Sequence, residues 1–396
     1  MREIKLVNDT ISNQDIDKLI EWLKTYPRLT KGDKTIEFEE KWSKWLGVKH
    51  SVFVNSGSSA NLMMLYALKL TKKLRNNTIV VPSLSWATDL APVMQLGFNP
   101  VLVDTDIKNL SVNLTDLEEV FKIEAPAALM LVSVLGLPPN MTKIKELCQK
   151  YGVYLLEDTC ESLGSEHKGQ KLGTFGEMST FSLYFGHHIS TIEGGMICTD
   201  DDELYNILKM IRSHGWDRDL DEEAQKKLRD QWGVDNFSAL YTFYVPGFNM
   251  RSTDLQAFLG IEQLKKLDFI VEKRFQNFCH FESLLKEHLR FWPNIPEGEI
   301  ISSFCIPIIL GNKKTMLGKC EEEKKNLVRE LKKYGIESRP LIAGSLGTQP
   351  YYIKEYGRNE KKYCSLIDSN GLYVPNNPEL SYNDIKQICN IIIKNI

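Results

Sequence analysis

The sequence predicts an α/β fold, with a large domain built on a mostly parallel sheet in α/β/α layers and a smaller C-terminal α/β domain. Three observations support this fold class. Short β-branched runs alternate with helical patterns between residues 50 and 200, these runs are almost wholly apolar, and the pattern changes after about residue 265. Apolar strands are typical of parallel sheets that helices cover on both faces. We therefore expect an N-terminal arm (1–30), a large domain (31–265) and a small domain (266–396).

The elements of the large domain follow in chain order. Residues 35–46 place apolar and aromatic side chains at helical spacing before Gly47, which predicts a helix with a glycine stop. The predicted strands are 50–55, 78–82, 100–104, 128–135, 153–157, 180–184 and 195–199. The predicted helices are 60–70, 116–121 and 143–151, and Thr115 is the expected N-cap of the second.

The later part of the chain differs in composition and in its pattern of predicted elements. Residues 217–231 are polar without a strand pattern, so we expect a surface excursion or lid with solvated charges. Residues 254–267 predict one long helix. A strand at 300–309 and an amphipathic helix at 321–334, ending at Gly335, predict the small domain.

Composition excludes several function classes. The chain has 396 residues, is 42% apolar and carries a net charge of −3, which favours neither nucleic acid nor an anionic membrane as a partner. It contains no apolar run of membrane-spanning length and no apolar core behind its N-terminal charges. The eight cysteines stand at least twelve positions apart, without metal-site spacing. We expect a cytoplasmic protein with reduced thiols and no metal.

Two runs carry the strongest functional signal. Residues 157–164 read Glu-Asp-Thr-Cys-Glu-Ser-Leu-Gly, and residues 182–195 contain Gly-His-His-Ile-Ser-Thr-Ile-Glu-Gly-Gly. Together they resemble the cofactor site of the DegT/DnrJ/EryC1/StrS family, the pyridoxal 5'-phosphate (PLP) sugar aminotransferases. In that family a lysine stands five residues after the serine of the second run and holds the cofactor covalently. Here that residue is His187, and no lysine lies between Lys171 and Lys209.

The resemblance spans nearly the whole chain and implies PLP fold type I, as in aspartate aminotransferase. It also implies a phosphate site at residues 55–61, between a predicted strand and helix, where free N–H groups favour an anion. The family's phosphate contacts correspond to Ser58, Ser59 and Ser182. Without the resemblance, the serine-rich segment would read as an ordinary helix cap.

The resemblance assigns three further cofactor contacts. Asp158, at the carboxyl end of a predicted strand, corresponds to the acid that pairs with the pyridine nitrogen, although it could instead cap a helix. Trp86 corresponds to the aromatic side chain that stacks on the ring, although it could be a core tryptophan. Glu161 stands where aminotransferases carry a glutamine facing the ring hydroxyl.

His187 is the expected proton-transfer residue, because a histidine moves protons near neutral pH. His188 would face the opposite side of an extended segment, and its role is open. The segment 247–251 matches the family's G-[YF]-N-x-R motif, in which the asparagine crosses to the partner's cofactor phosphate. Asn249 therefore implies a homodimer with shared active sites.

Three residues are weaker candidates for substrate contacts. His214 lies in a Ser-His-Gly segment that matches the family near the site, and Arg251 belongs to the asparagine motif. Arg339 suits a planar anion such as a carboxylate.

A histidine at the lysine position resembles the sugar 3-dehydratase branch of the family. That resemblance implies PLP or pyridoxamine phosphate as cofactor, L-glutamate as amino donor and a nucleotide-linked 4-keto-6-deoxy sugar as substrate, with GDP-4-keto-6-deoxymannose the nearest match. The product would be a 4-keto-3,6-dideoxy sugar of the O-antigen type. An ascarylose-type branch adds an iron–sulfur cluster on clustered cysteines, which this sequence does not have. An aminotransferase using untethered pyridoxamine phosphate, or a non-catalytic relative, remains open, as does the exact sugar.

Overall fold

The computed structural model describes residues 3–71, 74–293, 296, 298–311, 318 and 320–396. Its α-helices are α1 (Asn13–Leu23), α2 (Asp33–Leu46), α3 (Gly57–Leu70), α4 (Ala87–Gln95), α5 (Leu114–Glu124), α6 (Met141–Tyr151), α7 (Asp202–Arg212), α8 (Glu222–Trp232), α9 (Asp254–Leu264), α10 (Leu267–Leu285), α11 (Glu321–Lys333), α12 (Pro350–Tyr356), α13 (Lys362–Asn370) and α14 (Tyr382–Lys394). Its strands are β1 (His50–Val54), β2 (Thr78–Pro82), β3 (Asn99–Val103), β4 (Ala128–Val132), β5 (Tyr154–Asp158), β6 (Glu166–His167), β7 (Gln170–Lys171), β8 (Met178–Ser182), β9 (Gly195–Thr199), β10 (Cys305–Ile309), β11 (Arg339–Pro340) and β12 (Gly371–Pro375).

A seven-stranded sheet forms the centre of the molecule, in the order β1-β9-β8-β5-β4-β2-β3. β2, β3, β4, β5 and β8 pair in parallel, while β9 runs antiparallel to both of its neighbours, β1 and β8. All five residues of β4 are buried, as expected for a strand with helices over both faces. The predicted α/β class with a mostly parallel sheet is confirmed.

The helix ends show where local sequence signals succeed and where they fail. α2 ends at Gly47 in the left-handed region, with φ 89°, as predicted. The prediction of Thr115 as the N-cap of α5 was wrong. The cap is Asn113, whose side chain accepts hydrogen bonds from the N–H groups of Thr115 and Asp116, so the helix begins earlier.

Two predictions in the second half also need correction. The expected single helix over 254–267 is two helices, α9 and α10, which join at Lys265 and Lys266 without a glycine or proline to mark the break. The polar stretch 217–231 contains the exposed helix α8, but Asp217 is not solvated. It is buried, and its Oδ2 lies 2.6 Å from Nε of Arg229.

The C-terminal part has its own antiparallel sheet, in the order β10-β12-β11, and its apolar core also includes residues from the first half of the chain, such as Leu84 and Val132. The beginning of the chain packs against this part. Ile4 pairs with Ile336, and the N–H of Leu6 donates to Oε2 of Glu337 at 2.8 Å. The division at residues 30 and 265 stays a prediction, because this contact ties the predicted arm to the predicted small domain.

No helix in the described part of the chain combines the length and apolarity needed to cross a membrane.

Candidate active site

A cavity of about 750 Å³ opens at the carboxyl ends of β4, β5 and β8. This is the edge at which parallel sheets bind ligands. The C-terminal part of the chain contributes Phe304 and Tyr373 to its wall, and the beginning of the chain contributes Leu6 and Val7. Of the predicted site residues, the cavity is lined by Ser58, Trp86, Asp158, Glu161, Ser182, His187 and Arg339.

The N-terminus of α3 forms one end of the cavity. Ser56 caps the helix by accepting a hydrogen bond from the N–H of Ser59 at 3.1 Å. Gly57 follows, and a Cβ there would lie only 2.8 Å from Cβ of Ser182, so the position requires glycine. Ser58 is exposed to the cavity, whereas Ser59 is engaged in the cap and does not line the cavity. The helix start therefore presents N–H groups and a hydroxyl to an anion.

Asp158 ends β5 and is buried. Its Oδ1 accepts a hydrogen bond from the N–H of Cys160 at 2.8 Å, and its Oδ2 accepts one from Nδ2 of Asn61 at 2.6 Å. The two bonds hold the carboxylate in one orientation. The sequence analysis gave Asn61 no role, although an asparagine within the apolar run of α3 was an available signal.

Glu161 lies beside Asp158 in the same wall. Its Oε2 accepts a hydrogen bond from the N–H of Leu135 at 2.7 Å. Burial raises the pKa of Glu161 to about 8, and the negative charge of Asp158 acts in the same direction while the Leu135 bond opposes it. The carboxyl group consequently carries a proton at neutral pH and can donate a hydrogen bond, as a glutamine would.

His187 is half-buried on the cavity wall, and its ring centroid lies 5.3 Å from that of Phe304. Its Nδ1 is buried and has no hydrogen-bond partner among the described residues. Burial lowers the pKa of His187 to about 4, although the charge of Asp158 opposes the shift. The ring is therefore neutral at pH 7, which is the form that accepts a proton.

His188 takes the opposite direction, as predicted for neighbours in an extended segment. It is buried, and its Nε2 lies 2.9 Å from the carbonyl oxygen of Ser302. Burial lowers the pKa of His188 well below its usual range, with Arg274 adding to the effect. His188 anchors the segment to the strand that leads into the small sheet.

The cavity mouth carries an aromatic surface and two cations. The side chain of Trp86 is 53% exposed and forms a flat wall. Arg339 is exposed on β11, where its Nη2 lies 3.6 Å from Oε1 of Glu337. Lys5 lines the rim and has its Nζ 3.8 Å from Oε2 of Glu3. The rim can therefore contact an anionic or aromatic ligand.

Besides Ser59, three predicted residues do not line this cavity. Asn249 is exposed on the segment after α8. His214 packs against Trp216, with ring centroids 5.0 Å apart, and the guanidinium of Arg251 lies 5.7 Å from the same tryptophan ring. A single copy of the chain does not bring these residues to the cavity.

The motifs occur in the order that one family has them, and the sheet and the cavity agree with that family. The model of the DegT/DnrJ/EryC1/StrS aminotransferase family matches residues 9–393. The chain belongs to this family.

Its similar relatives within this family include sugar 3-dehydratases. The chain is 36% identical to GDP-4-keto-6-deoxy-D-mannose 3-dehydratase of Yersinia pseudotuberculosis, with 92% of each chain covered. It resembles the structure of the Escherichia coli enzyme of that name with bound hydrated PLP (TM-score 0.88, 33% identity, 98% of this chain and 100% of that chain). A structure of such a dehydratase with a trapped PLP-glutamate geminal diamine matches equally well (TM-score 0.88, 32% identity, 98% and 99% covered).

Proposed function

We propose that this protein is a PLP-dependent sugar 3-dehydratase. It removes the C3 hydroxyl of a nucleotide-linked 4-keto-6-deoxy sugar, GDP-4-keto-6-deoxymannose first among the candidates, with L-glutamate as amino donor. The observation that carries the proposal is His187, which lines the cavity beside Asp158 in a stretch without lysine from Lys171 to Lys209. The relatives' names and bound molecules support the same substrate, cofactor and amino donor.

The cavity fits PLP in three respects. Gly57 packs so closely on Ser182 that a Cβ has no room, which brings the N-terminus of α3 and the Ser182 hydroxyl together as donors for a phosphate. Trp86 offers a flat exposed face for the ring. Asp158 accepts hydrogen bonds from Asn61 and from the N–H of Cys160, and it lines the cavity. There it would accept a hydrogen bond from the pyridine nitrogen of PLP.

The bound cofactor would supply an exchangeable amino group and an electron sink in its ring. The protein supplies the rest. Asp158 holds negative charge next to the ring nitrogen, and Glu161 donates a hydrogen bond from its protonated carboxyl group. His187, whose imidazole is neutral at pH 7, accepts a proton at an imidazole nitrogen. It returns this proton to the departing C3 hydroxyl, which leaves as water.

The net reaction balances without any external reductant. The sugar loses one oxygen at C3, and glutamate gains one oxygen as it becomes 2-oxoglutarate, while nitrogen leaves as ammonia. Reduction of the sugar is thus matched by oxidation of the amino acid. An aminotransferase would instead place the nitrogen on the sugar and release no ammonia.

The test is a product analysis with pure protein, PLP, L-glutamate and GDP-4-keto-6-deoxymannose. We expect ammonia, 2-oxoglutarate and a sugar lacking one oxygen in equal amounts. A product that gains nitrogen and keeps its oxygen would establish an aminotransferase and overturn the proposal. Absence of any turnover, with this sugar and with a panel of other nucleotide-linked 4-keto sugars, would favour a non-catalytic relative.

We also propose a homodimer with shared active sites. Asn249 is exposed and does not line the cavity of its own protomer, so a phosphate contact from it requires a second copy. The preceding segment, 232–243, exposes several large apolar side chains, as interfaces do. They are Trp232, Phe237, Leu240, Tyr241 and Phe243.

The proposal places the enzyme in the cytoplasm. All eight cysteines are free thiols, which suits a reducing compartment. The nucleotide sugar and L-glutamate would meet the enzyme there.

A further inference from the structure

Behind Asp158, on the side away from the cavity, lies a closed group of polar side chains. Asn61, Asp89 and Thr180 are each 0% exposed, and they come from α3, α4 and β8. Buried polar side chains are costly unless they are fully hydrogen-bonded. The bonds of this group converge on the carboxylate that is expected to meet the cofactor.

The amide of Asn61 has one possible orientation. Its Nδ2 donates to Oδ2 of Asp158 at 2.6 Å and to the carbonyl oxygen of Thr88 at 3.2 Å. Its Oδ1 accepts from Oγ1 of Thr180 at 2.6 Å. A flipped amide would set its oxygen against two other acceptors, so Asp158 and the Thr88 carbonyl fix the orientation, and the Thr180 hydroxyl binds the other end of the amide.

Asp89 supplies a second carboxyl group to the cluster. It accepts hydrogen bonds from the hydroxyl of Ser85 and from the N–H of Trp86, the latter at 3.1 Å, and its Oδ1 lies 3.5 Å from the Asn61 Nδ2 that also bonds Asp158. Burial, and next the charge of Asp158, raise the pKa of Asp89 well above its usual range.

We propose that Asn61 and Asp89 are positioning residues that act through Asp158. Asn61 fixes the plane of the Asp158 carboxylate, and Asp89, held by Ser85 and the Trp86 N–H, supports the Asn61 amide from the other side. Thr180 acts one step further back by fixing the Asn61 amide. The inference rests on the proposed use of PLP and extends it to residues that do not line the cavity.

The experiment measures binding of two ligands by quenching of tryptophan fluorescence, since Trp86 lies on the cavity wall. One ligand is PLP, and the other is its carbocyclic analogue with carbon in place of the ring nitrogen. Asn61→Leu should weaken PLP binding by about 10- to 100-fold, as expected for loss of a bond to a charged group, and leave the analogue within about twofold. The matched control is Asn277→Leu, another fully buried asparagine outside the cavity, which should change neither affinity.

Three further variants keep the test decisive if Asn61→Leu does not fold. Thr180→Val should weaken PLP binding several-fold with the same selectivity over the analogue. Asp89→Ala should weaken PLP binding, while Asp89→Asn, which keeps an acceptor oxygen at this position, should restore it. Equal loss for both ligands, or no loss for PLP, would overturn the inference. If the wild-type protein binds no PLP, the proposed function fails as well.

Discussion

The backbone N–H of Leu135 donates a hydrogen bond across 2.7 Å to the carboxyl group of Glu161, which is buried in the cavity wall. This single donor does not compensate for burial of a charge. The carboxyl group therefore binds its proton more tightly in the folded protein than in the unfolded chain.

The first prediction concerns stability against pH. Because the pKa of Glu161 rises from 4.5 to about 8 on folding, the folded state holds the extra proton between these pH values, and stability falls as pH rises through this window. Glu161→Gln has no such titrating group and therefore avoids this loss of stability at high pH. We expect its melting temperature to match wild type near pH 4.5 and to exceed it at pH 8, by the equivalent of a few kcal/mol. Thermal unfolding of the cofactor-free protein at several pH values checks this.

The control is Glu124→Gln on the exposed end of α5, which should follow the wild-type profile at every pH. A Glu161→Gln variant that loses stability at pH 8 would show that the carboxylate is ionised and bound by a group not identified here.

The second prediction concerns proton transfer. His187→Asn should lower kcat by about 10²- to 10⁴-fold because asparagine cannot take up a proton, while PLP affinity stays within a few-fold of wild type. Steady-state rates and a PLP titration measure the two effects. His188→Asn should instead lower stability, since His188 is buried against the Ser302 carbonyl. A His187→Asn variant that retains the wild-type rate would remove His187 from the mechanism.

The third prediction concerns covalent binding. His187→Lys places an amine on the cavity wall, so we expect borohydride to fix PLP to that residue, as peptide mass spectrometry would show. Wild-type protein treated in the same way should remain unlabelled at this segment. Lys5, the lysine at the rim, provides the check, because Lys5→Ala should leave PLP affinity nearly unchanged. Labelling of Lys5 in the wild type would reveal a tether supplied by the N-terminal segment.

The fourth prediction concerns the phosphate cradle. In Gly57→Ala the new methyl group would lie 2.8 Å from Cβ of Ser182, so α3 and β8 must separate. Overpacking of this kind costs about 1–3 kcal/mol and should lower both the melting temperature and PLP affinity. Ser58→Ala, at the neighbouring exposed position, should weaken PLP binding without lowering the melting temperature. Equal melting temperatures for Gly57→Ala and wild type would contradict the close contact.

The fifth prediction concerns the shared site. His187→Asn and Asn249→Ala protomers, each nearly inactive alone, are mixed and allowed to exchange. In a mixed dimer with shared sites, one site carries both changes and the other carries neither. An equal mixture should therefore regain about a quarter of wild-type activity by random pairing. No recovery, with exchange confirmed by native mass spectrometry, would place Asn249 outside the partner's site.

Sequence reasoning found those parts of the site that local patterns encode. Asp158 ends an apolar strand at the edge where parallel sheets bind ligands, and the resemblance to the family assigned both Asp158 and Ser182. It missed Asn61 because the bond to Asp158 joins residues 97 positions apart, and nothing around either residue marks that pairing. The wall formed by Leu6 was missed for the same reason, since its contact with Glu337 spans 331 positions.

The pairing of Ile4 with Ile336 has a practical consequence. Residues directly after this contact form part of the cavity wall, so an affinity tag joined in front of residue 3 would emerge beside the substrate entrance. A tag following α14, whose residues do not line the cavity, would avoid this interference. Kinetic comparisons between variants would be cleanest with the tag at that end of the chain.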